Sequence, residues 1–181
     1  MQSNLGSKSN TSSQALKPHV ILQGECFVSA EPNIEMTTLL GSCVATCLFD
    51  ERAGVGGMNH FLLPDGAAGN RNGQKYGLHA MEVLINSMLK IGAKRDRISA
   101  KVFGGARMAD FGGAIGEKNV EFAMSFLEQE RIPCIASSTG GTLARRLKFH
   151  SATGRASQRL VFEEVQIKAE SPSSGGVHFF D

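Results

Sequence analysis

A cysteine and a histidine, seventeen positions apart, are the residues of this chain best placed to do chemistry. Cys43 follows Gly41 and Ser42, at the start of the apolar run that begins with Val44. A thiol behind such a turn can face solvent while core packing fixes its backbone. That setting suits a nucleophile, since the thiolate is the attacking form. His60 lies in a second apolar run, so the pair predicts thiol chemistry assisted by a base.

A predicted β-hairpin brings the two residues together. Residues 44–49 and 55–63 have the composition of buried strands, and the short polar segment 50–54 connects them. A hairpin would place Cys43 and His60 near the same end of adjacent strands. The apolar neighbours of His60 should partly desolvate its ring, which favours the neutral imidazole and therefore a base.

Structural roles for both residues remain open alternatives. Free cysteine is among the most buried residue types, so Cys43 could simply be part of the core, and His60 could be a core histidine satisfied by backbone groups. Cys26, Cys47 and Cys134 have little polar context and are interpreted as core.

A cysteine–histidine pair also needs a third group that orients the imidazole. The sequence offers hydroxyls at Thr37, Thr38 and Ser42 and an amide at Asn59, and spacing alone does not choose among them. Asn59 is the weakest candidate, because a neighbour of His60 on the same strand points to the opposite face.

The helices and strands predicted around these residues indicate an α+β layered sandwich. Helical spacing of apolar residues predicts helices at 76–91 and 117–130. About seven strands are expected, joined by hairpins rather than by β-α-β units, which indicates largely antiparallel sheets. The predicted strands are 19–23, which 24–28 continues or pairs beside, then 44–49, 55–63, 98–103, 132–137 and a late hairpin at 148–150 and 159–162.

The length of 181 residues is typical of one domain with a sizeable core. Residues 1–17 are polar and are predicted to be a disordered arm, and residues 169–181 to be a flexible tail, leaving 18–168 as the folded domain. The Gly- and Asn-rich stretch from residue 64 to 73 is long enough to cover a site.

Composition argues against several classes of protein. The net charge of +2 gives no electrostatic reason to expect nucleic acid or an acidic membrane as partner. The four cysteines form no C-x-x-C pair, so a zinc site is not expected. The N-terminus has no apolar core typical of a signal peptide, and no apolar run approaches the ~18 residues of a membrane helix. A cytoplasmic protein with reduced thiols is predicted.

Five motifs, in order along residues 19–168, resemble the CheD family of chemoreceptor glutamine deamidases. They are Thr37-x-Leu39-x-Gly41-Ser42-Cys43-Val44-Ala45, Met58-Asn59-His60-x-x-Leu63-Pro64, Lys101-x-x-Gly104-Gly105-Ala106, Gly116-x-x-Asn119 and Thr139-Gly140-Gly141-x-x-Ala144-Arg145. The resemblance implies an α/β sandwich that hydrolyses selected glutamine side chains of methyl-accepting chemotaxis receptors without a metal or organic cofactor.

The resemblance also implies roles for individual residues. Cys43 would be the nucleophile, His60 the general base and Thr37, six positions before the cysteine, the orienting residue. Gly41 and Ser42 would form the turn that supports the oxyanion. A CheC-type phosphatase is an implied partner. The competing functions are a non-catalytic adaptor that binds receptor and phosphatase, and a generic cysteine peptidase.

Overall fold

The computed structural model describes residues 15–63, 71–108 and 114–161. Within these ranges the chain forms nine strands, two α-helices and one 3-10 turn at Arg95–Arg97. The strands are β1 (Lys17–Val20), β2 (Cys26–Ser29), β3 (Ile34–Leu40), β4 (Val44–Asp50), β5 (Val55–Phe61), β6 (Ser99–Gly104), β7 (Cys134–Thr139), β8 (Ala144–His150) and β9 (Ala156–Val161). The helices are α1 (Arg71–Lys90) and α2 (Ile115–Gln129).

The strands form two sheets. One has the order β1-β3-β8-β9 and the other β2-β5-β4-β6-β7. Five of the seven described strand pairings are antiparallel, and the pairs β1–β3 and β6–β7 are parallel. The α+β class with largely antiparallel sheets is therefore confirmed.

The five-stranded sheet is the middle of three layers. One of its faces packs against α1 and α2 through a core that includes Leu48, Phe61 and Leu84. The other face packs against the four-stranded sheet through Met36, Met58 and Phe149. Since both faces are covered, every residue of β4 and β5 is buried. The strand that carries His60 and the strand that follows Cys43 are thus held by packing on both faces.

Most predicted elements agree with the structure. The hairpin around residues 51–54 is confirmed, and it pairs β4 with β5 in continuous register. Both helices are confirmed, α1 beginning five residues earlier than the apolar spacing indicates. Strand β3 was not predicted, because its residues were interpreted only as the approach to the Gly-Ser turn. Most of the predicted arm, the C-terminal tail and residues 64–70 of the covering loop lie outside the described residues. The domain bounds therefore remain predictions.

Candidate active site

The turn from Gly41 to Cys43, which joins β3 to β4, is held by its carbonyl groups. All three carbonyl oxygens accept hydrogen bonds from other parts of the chain. The donors are Ala106 N–H to Gly41 O at 2.8 Å, Asn119 Nδ2 to Ser42 O at 2.9 Å, and Gly105 N–H to Cys43 O at 2.7 Å. With these carbonyls engaged, no described residue accepts a hydrogen bond from the backbone N–H of Ser42 or Cys43.

Gly104 allows the segment after β6 to approach this turn. Its φ of +108° lies in the left-handed region, and a Cβ there would lie 2.2 Å from the carbonyl oxygen of Cys43. Any side chain would push the two segments apart, so a glycine is required at this position. The backbone segment that Gly104 allows to come close is thus the cysteine turn.

Asn119, on α2, ties the cysteine turn to the strand of the histidine. It is fully buried, donates to Ser42 O and accepts from the N–H of Leu63, two residues beyond β5, at 2.9 Å. The sequence motif contained Asn119 without assigning it a role. The signal that could have found it is a polar residue on the apolar face of α2, which also contains Ala123, Phe126 and Leu127.

Cys43 and His60 project from the same face of the five-stranded sheet. Ala45 lies directly opposite His60 in the β4–β5 register, and Cys43 precedes Ala45 by two residues. Cys43 precedes the first residue of β4, and its side chain packs against the cluster between the sheets that contains Ala45 and Met58, the side to which His60 also points. The small side chain of Ala45 leaves the imidazole room to reach toward the thiol. The predicted hairpin is confirmed by this register, and the proximity of the two side chains remains a prediction.

The hydrogen bonds of Thr38 determine the tautomer of His60. Its hydroxyl lies 2.7 Å from the carbonyl oxygen of Ile21 and 2.9 Å from Nδ1 of His60. A hydroxyl has one proton, and the Ile21 carbonyl can only accept, so Thr38 donates to Ile21 and accepts from His60. Nδ1 therefore carries the ring proton and Nε2 carries the lone pair.

The threonine that contacts His60 is Thr38, whereas the resemblance implies Thr37 as the orienting residue, and that role of Thr37 stays a prediction. The two residues point to opposite faces of β3. Thr38 is 3% exposed and faces the space between the sheets with Met36 and Leu40. Thr37 is half-buried on the other face, with Lys148 and Val20 as its cross-strand neighbours. Its carbonyl oxygen accepts from Ile21 N–H at 2.8 Å, which holds the segment that Thr38 bonds.

The ionisation of His60 and Cys43 follows from their partial burial. Burial lowers the pKa of His60, against smaller opposing effects of the Ile21 carbonyl and Glu25. Burial raises the pKa of the Cys43 thiol, and its own backbone N–H acts in the opposite sense. At neutral pH the resting pair is therefore a neutral thiol and a neutral imidazole, which is the state that a general base requires.

Gln23 is the side chain in contact with the thiol. Cys43 Sγ donates to Oε1 of Gln23 at 3.3 Å. Nε2 of His60 is buried, and no described residue hydrogen-bonds to it. Sequence reasoning placed Gln23 at the end of a strand and missed this contact. The Gln23-Gly24 pair, which forms a turn here, was the available signal.

The remaining candidates lie away from the thiol. Asn59 faces the helices, accepting from Thr46 N–H and donating to the carbonyl of Ala80. Cys47 is fully buried, while Cys26 and Cys134 are half-buried against the helix-side core. Among the described residues no cluster of three or more His, Cys, Asp or Glu side chains could hold a metal ion. No described helix is long and apolar enough to cross a membrane.

Comparisons with known proteins point to one family. The family model described as "CheD chemotactic sensory transduction" matches residues 62–160, more than half of the chain. A protein of Caulobacter vibrioides (strain NA1000 / CB15N) is 55% identical over 150 residues, which cover 82% of this chain and 80% of that protein. A protein of Agrobacterium fabrum is 47% identical over 173 residues, covering 88% and 94%. Both are named "Probable chemoreceptor glutamine deamidase CheD".

A more distant likeness exists among solved structures. A crystal structure of a Neisseria meningitidis protein aligns with a TM-score of 0.46 and 15% identity, over 79% of this chain and 74% of that one.

Proposed function

The chain belongs to the CheD family, and from that membership we propose that it deamidates glutamine side chains of chemotaxis receptors. The observation that supports this most is the state of His60. Thr38 and Ile21 direct its ring so that Nδ1 is protonated and Nε2 is a free base on the face of Cys43. A thiol beside a neutral, oriented imidazole is the arrangement that nucleophilic attack on a carboxamide needs.

The reaction begins with transfer of the Cys43 proton to Nε2 of His60. The thiolate then attacks the carboxamide carbon of the substrate glutamine and forms a tetrahedral intermediate. The imidazolium returns the proton to the nitrogen, and the C–N bond breaks to release ammonia and leave a thioester. Water, deprotonated by His60, hydrolyses the thioester to glutamate and restores the thiol. All four steps use groups of the chain, the substrate and water.

The turn from Gly41 to Cys43 supplies the oxyanion site. Its carbonyls are all engaged in bonds to Ala106, Asn119 and Gly105, which orients the peptide planes, and the N–H groups of Ser42 and Cys43 have no acceptor among the described residues. Backbone donors held in this way stabilise developing negative charge without reorganising. Gly41 and Ser42 thus act through the backbone rather than through side chains.

The shape of the site favours a protein substrate. A groove of about 530 Å³ lies between α1 and α2, lined by residues such as Leu78, Phe122 and Phe126. Neither Cys43 nor His60 lines it. The thiol of Cys43 is partly exposed at a strand end, beside the exposed turn of Gln23 and Gly24. A side chain presented by another protein can reach it there, and chemoreceptors are the substrates that the relatives' names indicate.

The decisive experiment compares Cys43→Ala with the wild type on the cytoplasmic domain of a receptor. Peptide mass spectrometry should find glutamine converted to glutamate by the wild type, and ammonia should appear in equal amount. Cys43→Ala should show neither, while Cys134→Ala, a half-buried cysteine outside the site, should retain both. Conversion by Cys43→Ala would refute the mechanism, and receptor cleavage instead of conversion would indicate a peptidase.

A cytoplasmic location and binding of a CheC-type phosphatase complete the proposal. An adaptor that acts only through receptor and phosphatase binding would keep its effect on chemotaxis after Cys43→Ala. Loss of the swimming response in cells carrying Cys43→Ala at normal protein level would exclude that alternative. Co-purification with the phosphatase tests the partner independently of catalysis.

A further inference from the structure

We propose that the Gln23 side chain occupies the subsite that receives the substrate's carboxamide, and that a receptor glutamine must displace it. This inference rests on the proposed function, because it assigns a primary carboxamide as the ligand of that subsite. The carboxamide subsite is the space between Gln23 and Cys43, next to His60. Gln23 carries the same functional group as the substrate and is hydrogen-bonded to the nucleophile.

The turn that carries Gln23 is fixed to His60 by backbone hydrogen bonds on both sides. Gly24 N–H donates to His60 O at 2.7 Å, and His60 N–H donates to Glu25 O at 3.0 Å. The turn is closed by a bond from Glu25 N–H to Leu22 O, and Gly24 takes the required φ of +88°. Gln23 therefore keeps its position relative to the base, although it lies on the surface.

The contact diverts the thiol from its base. Cys43 Sγ donates its proton to Oε1 of Gln23, and His60 Nε2, in a residue only 6% exposed, is left without a partner among the described residues. A buried polar atom without a partner costs free energy, and such atoms in native proteins are often functional. When Gln23 moves away, the S–H group can turn toward Nε2, which satisfies both atoms.

The hydrogen bond also makes the resting thiol less reactive. Oε1 accepts a proton from the neutral thiol, and a bond to the neutral form disfavours ionisation. The neutral thiol donates to the carboxamide oxygen of Gln23 and does not attack its carbon, so Gln23 is not deamidated in this contact. A receptor glutamine that displaces Gln23 would free the Cys43 thiol only when a substrate is bound. In the absence of substrate, the contact with Gln23 would limit the reaction of the thiol with other electrophiles.

Alkylation of Cys43 by iodoacetamide tests the contact without any receptor. The rate is followed by mass spectrometry of the peptide that contains Cys43, in the full chain at neutral pH. Gln23→Ala should react about fivefold faster than wild type, the effect of losing one neutral hydrogen bond. Gln23→Glu should react more slowly, because its carboxylate opposes thiolate formation. Gln129→Ala, an exposed glutamine at the end of α2, should match wild type. Equal rates for Gln23→Ala and wild type would overturn the proposal.

Deamidation of a receptor domain tests displacement. Gln23→Ala should lower KM about fivefold, since the substrate no longer competes with a resident side chain, and unchanged thermal unfolding would show that the turn persists. A raised KM would identify Gln23 as a substrate contact instead and overturn the inference. Conversion of Gln23 itself to glutamate, dependent on Cys43, would do so as well. If no variant deamidates any receptor, the proposed function fails, while the alkylation rates still report on Gln23.

Discussion

Buried polar groups at the two ends of β4 differ in whether their hydrogen bonds are complete. At its start, Cys43 has one hydrogen bond to an exposed glutamine, and the neighbouring His60 keeps a buried nitrogen unpaired. At its end, Asp50 is 1% exposed and all of its acceptor capacity is used. Its carboxylate accepts from the backbone N–H of Ala53 and Lys94 and from the guanidinium of Arg97.

The groups that stabilise the fold and the candidate reactive groups thus lie at opposite ends of one strand. A fully satisfied buried carboxylate stabilises the fold and has nothing left with which to bind a substrate. The imidazole nitrogen of His60 has a free lone pair, and the thiol of Cys43 has one weak, exposed partner. Both groups can therefore form further hydrogen bonds when a substrate arrives. The strand between them is wholly buried, so the two ends are connected rigidly and can still be tested separately.

Asp50→Asn should produce the largest change in stability. The substitution removes the charge that the quarter-exposed Arg97 guanidinium pairs with, and removing one partner of a buried pair costs about 3 kcal/mol in the free energy of unfolding. Urea denaturation followed by circular dichroism measures it. Cys43→Ala, at the other end, should change stability by no more than ~0.5 kcal/mol. Below its unfolding temperature, Asp50→Asn should deamidate at the wild-type rate; a large loss of kcat would show that the ends are coupled.

The same substitution has a pH signature. Burial raises the pKa of Asp50, but the hydrogen bonds from Arg97, Lys94 and Ala53 outweigh it, so the folded pKa lies below its usual value. The stabilisation is then complete above the unfolded pKa of ~3.9 and is lost as pH falls through the folded pKa. The difference in stability between wild type and Asp50→Asn should shrink across that acid range.

Thr38→Val should give the next largest effect, this time on catalysis. Valine keeps the shape but leaves His60 Nδ1–H without its acceptor, so the ring loses its fixed orientation. Misplacing a catalytic group in this way costs about 100-fold in kcat. KM should stay unchanged, because Thr38 does not contact the substrate.

Thr37→Val is the matched control for that prediction. The same atoms are removed from the opposite face of β3, and kcat should stay within about twofold of wild type, since exposed-face substitutions rarely exceed ±0.5 kcal/mol. Thr38→Ser, which keeps the hydroxyl, should recover most of the activity. If Thr37→Val inactivates and Thr38→Val does not, Thr37 is the orienting residue in solution.

Local sequence signals were enough to predict much of the fold and the central pair. The hairpin followed from two apolar runs and a short polar link, and it placed Cys43 near His60 without any long-range contact. The parallel pairing β1–β3 has no such local signal, because β2 lies between the two strands in sequence. For β6–β7 the expectation of hairpins rather than β-α-β units was wrong: β6, α2 and β7 follow one another as a parallel β-α-β unit, and the predicted order of strand, helix and strand was the available signal.

The choice of threonine shows where sequence reasoning stopped. Spacing alone left Thr37, Thr38 and Ser42 open, and Thr37 was implied only by the resemblance. The turn from Gly41 to Cys43 interrupts the strand, so side-chain alternation cannot be continued through it to choose among them. Only the register of β3 between its neighbours shows that Thr38 faces inward. The contact of Gln23 with the thiol likewise depends on a turn that is sequentially distant from Cys43 and is fixed by backbone bonds to His60.

Asn119→Ala should give a smaller loss, and it tests how the cysteine turn is held. The substitution leaves the carbonyl of Ser42 and the N–H of Leu63 without their hydrogen-bond partner, which lowers the free energy of unfolding by about 1–3 kcal/mol.

Asn59→Ala is the matched control, because it removes the same kind of side chain. Asn59 is also a buried amide that bridges backbone groups, but on the helix side of the sheet. Both variants should lose comparable stability. Only Asn119→Ala should also lose about tenfold in kcat, because the oxyanion donors that we propose at Ser42 and Cys43 would depend on the turn it holds. Removing one such donor outright costs ~100-fold or more. Equal activity in the two variants would mean that the bonds from Gly105 and Ala106 suffice to hold the turn, and that Asn119 serves the fold alone.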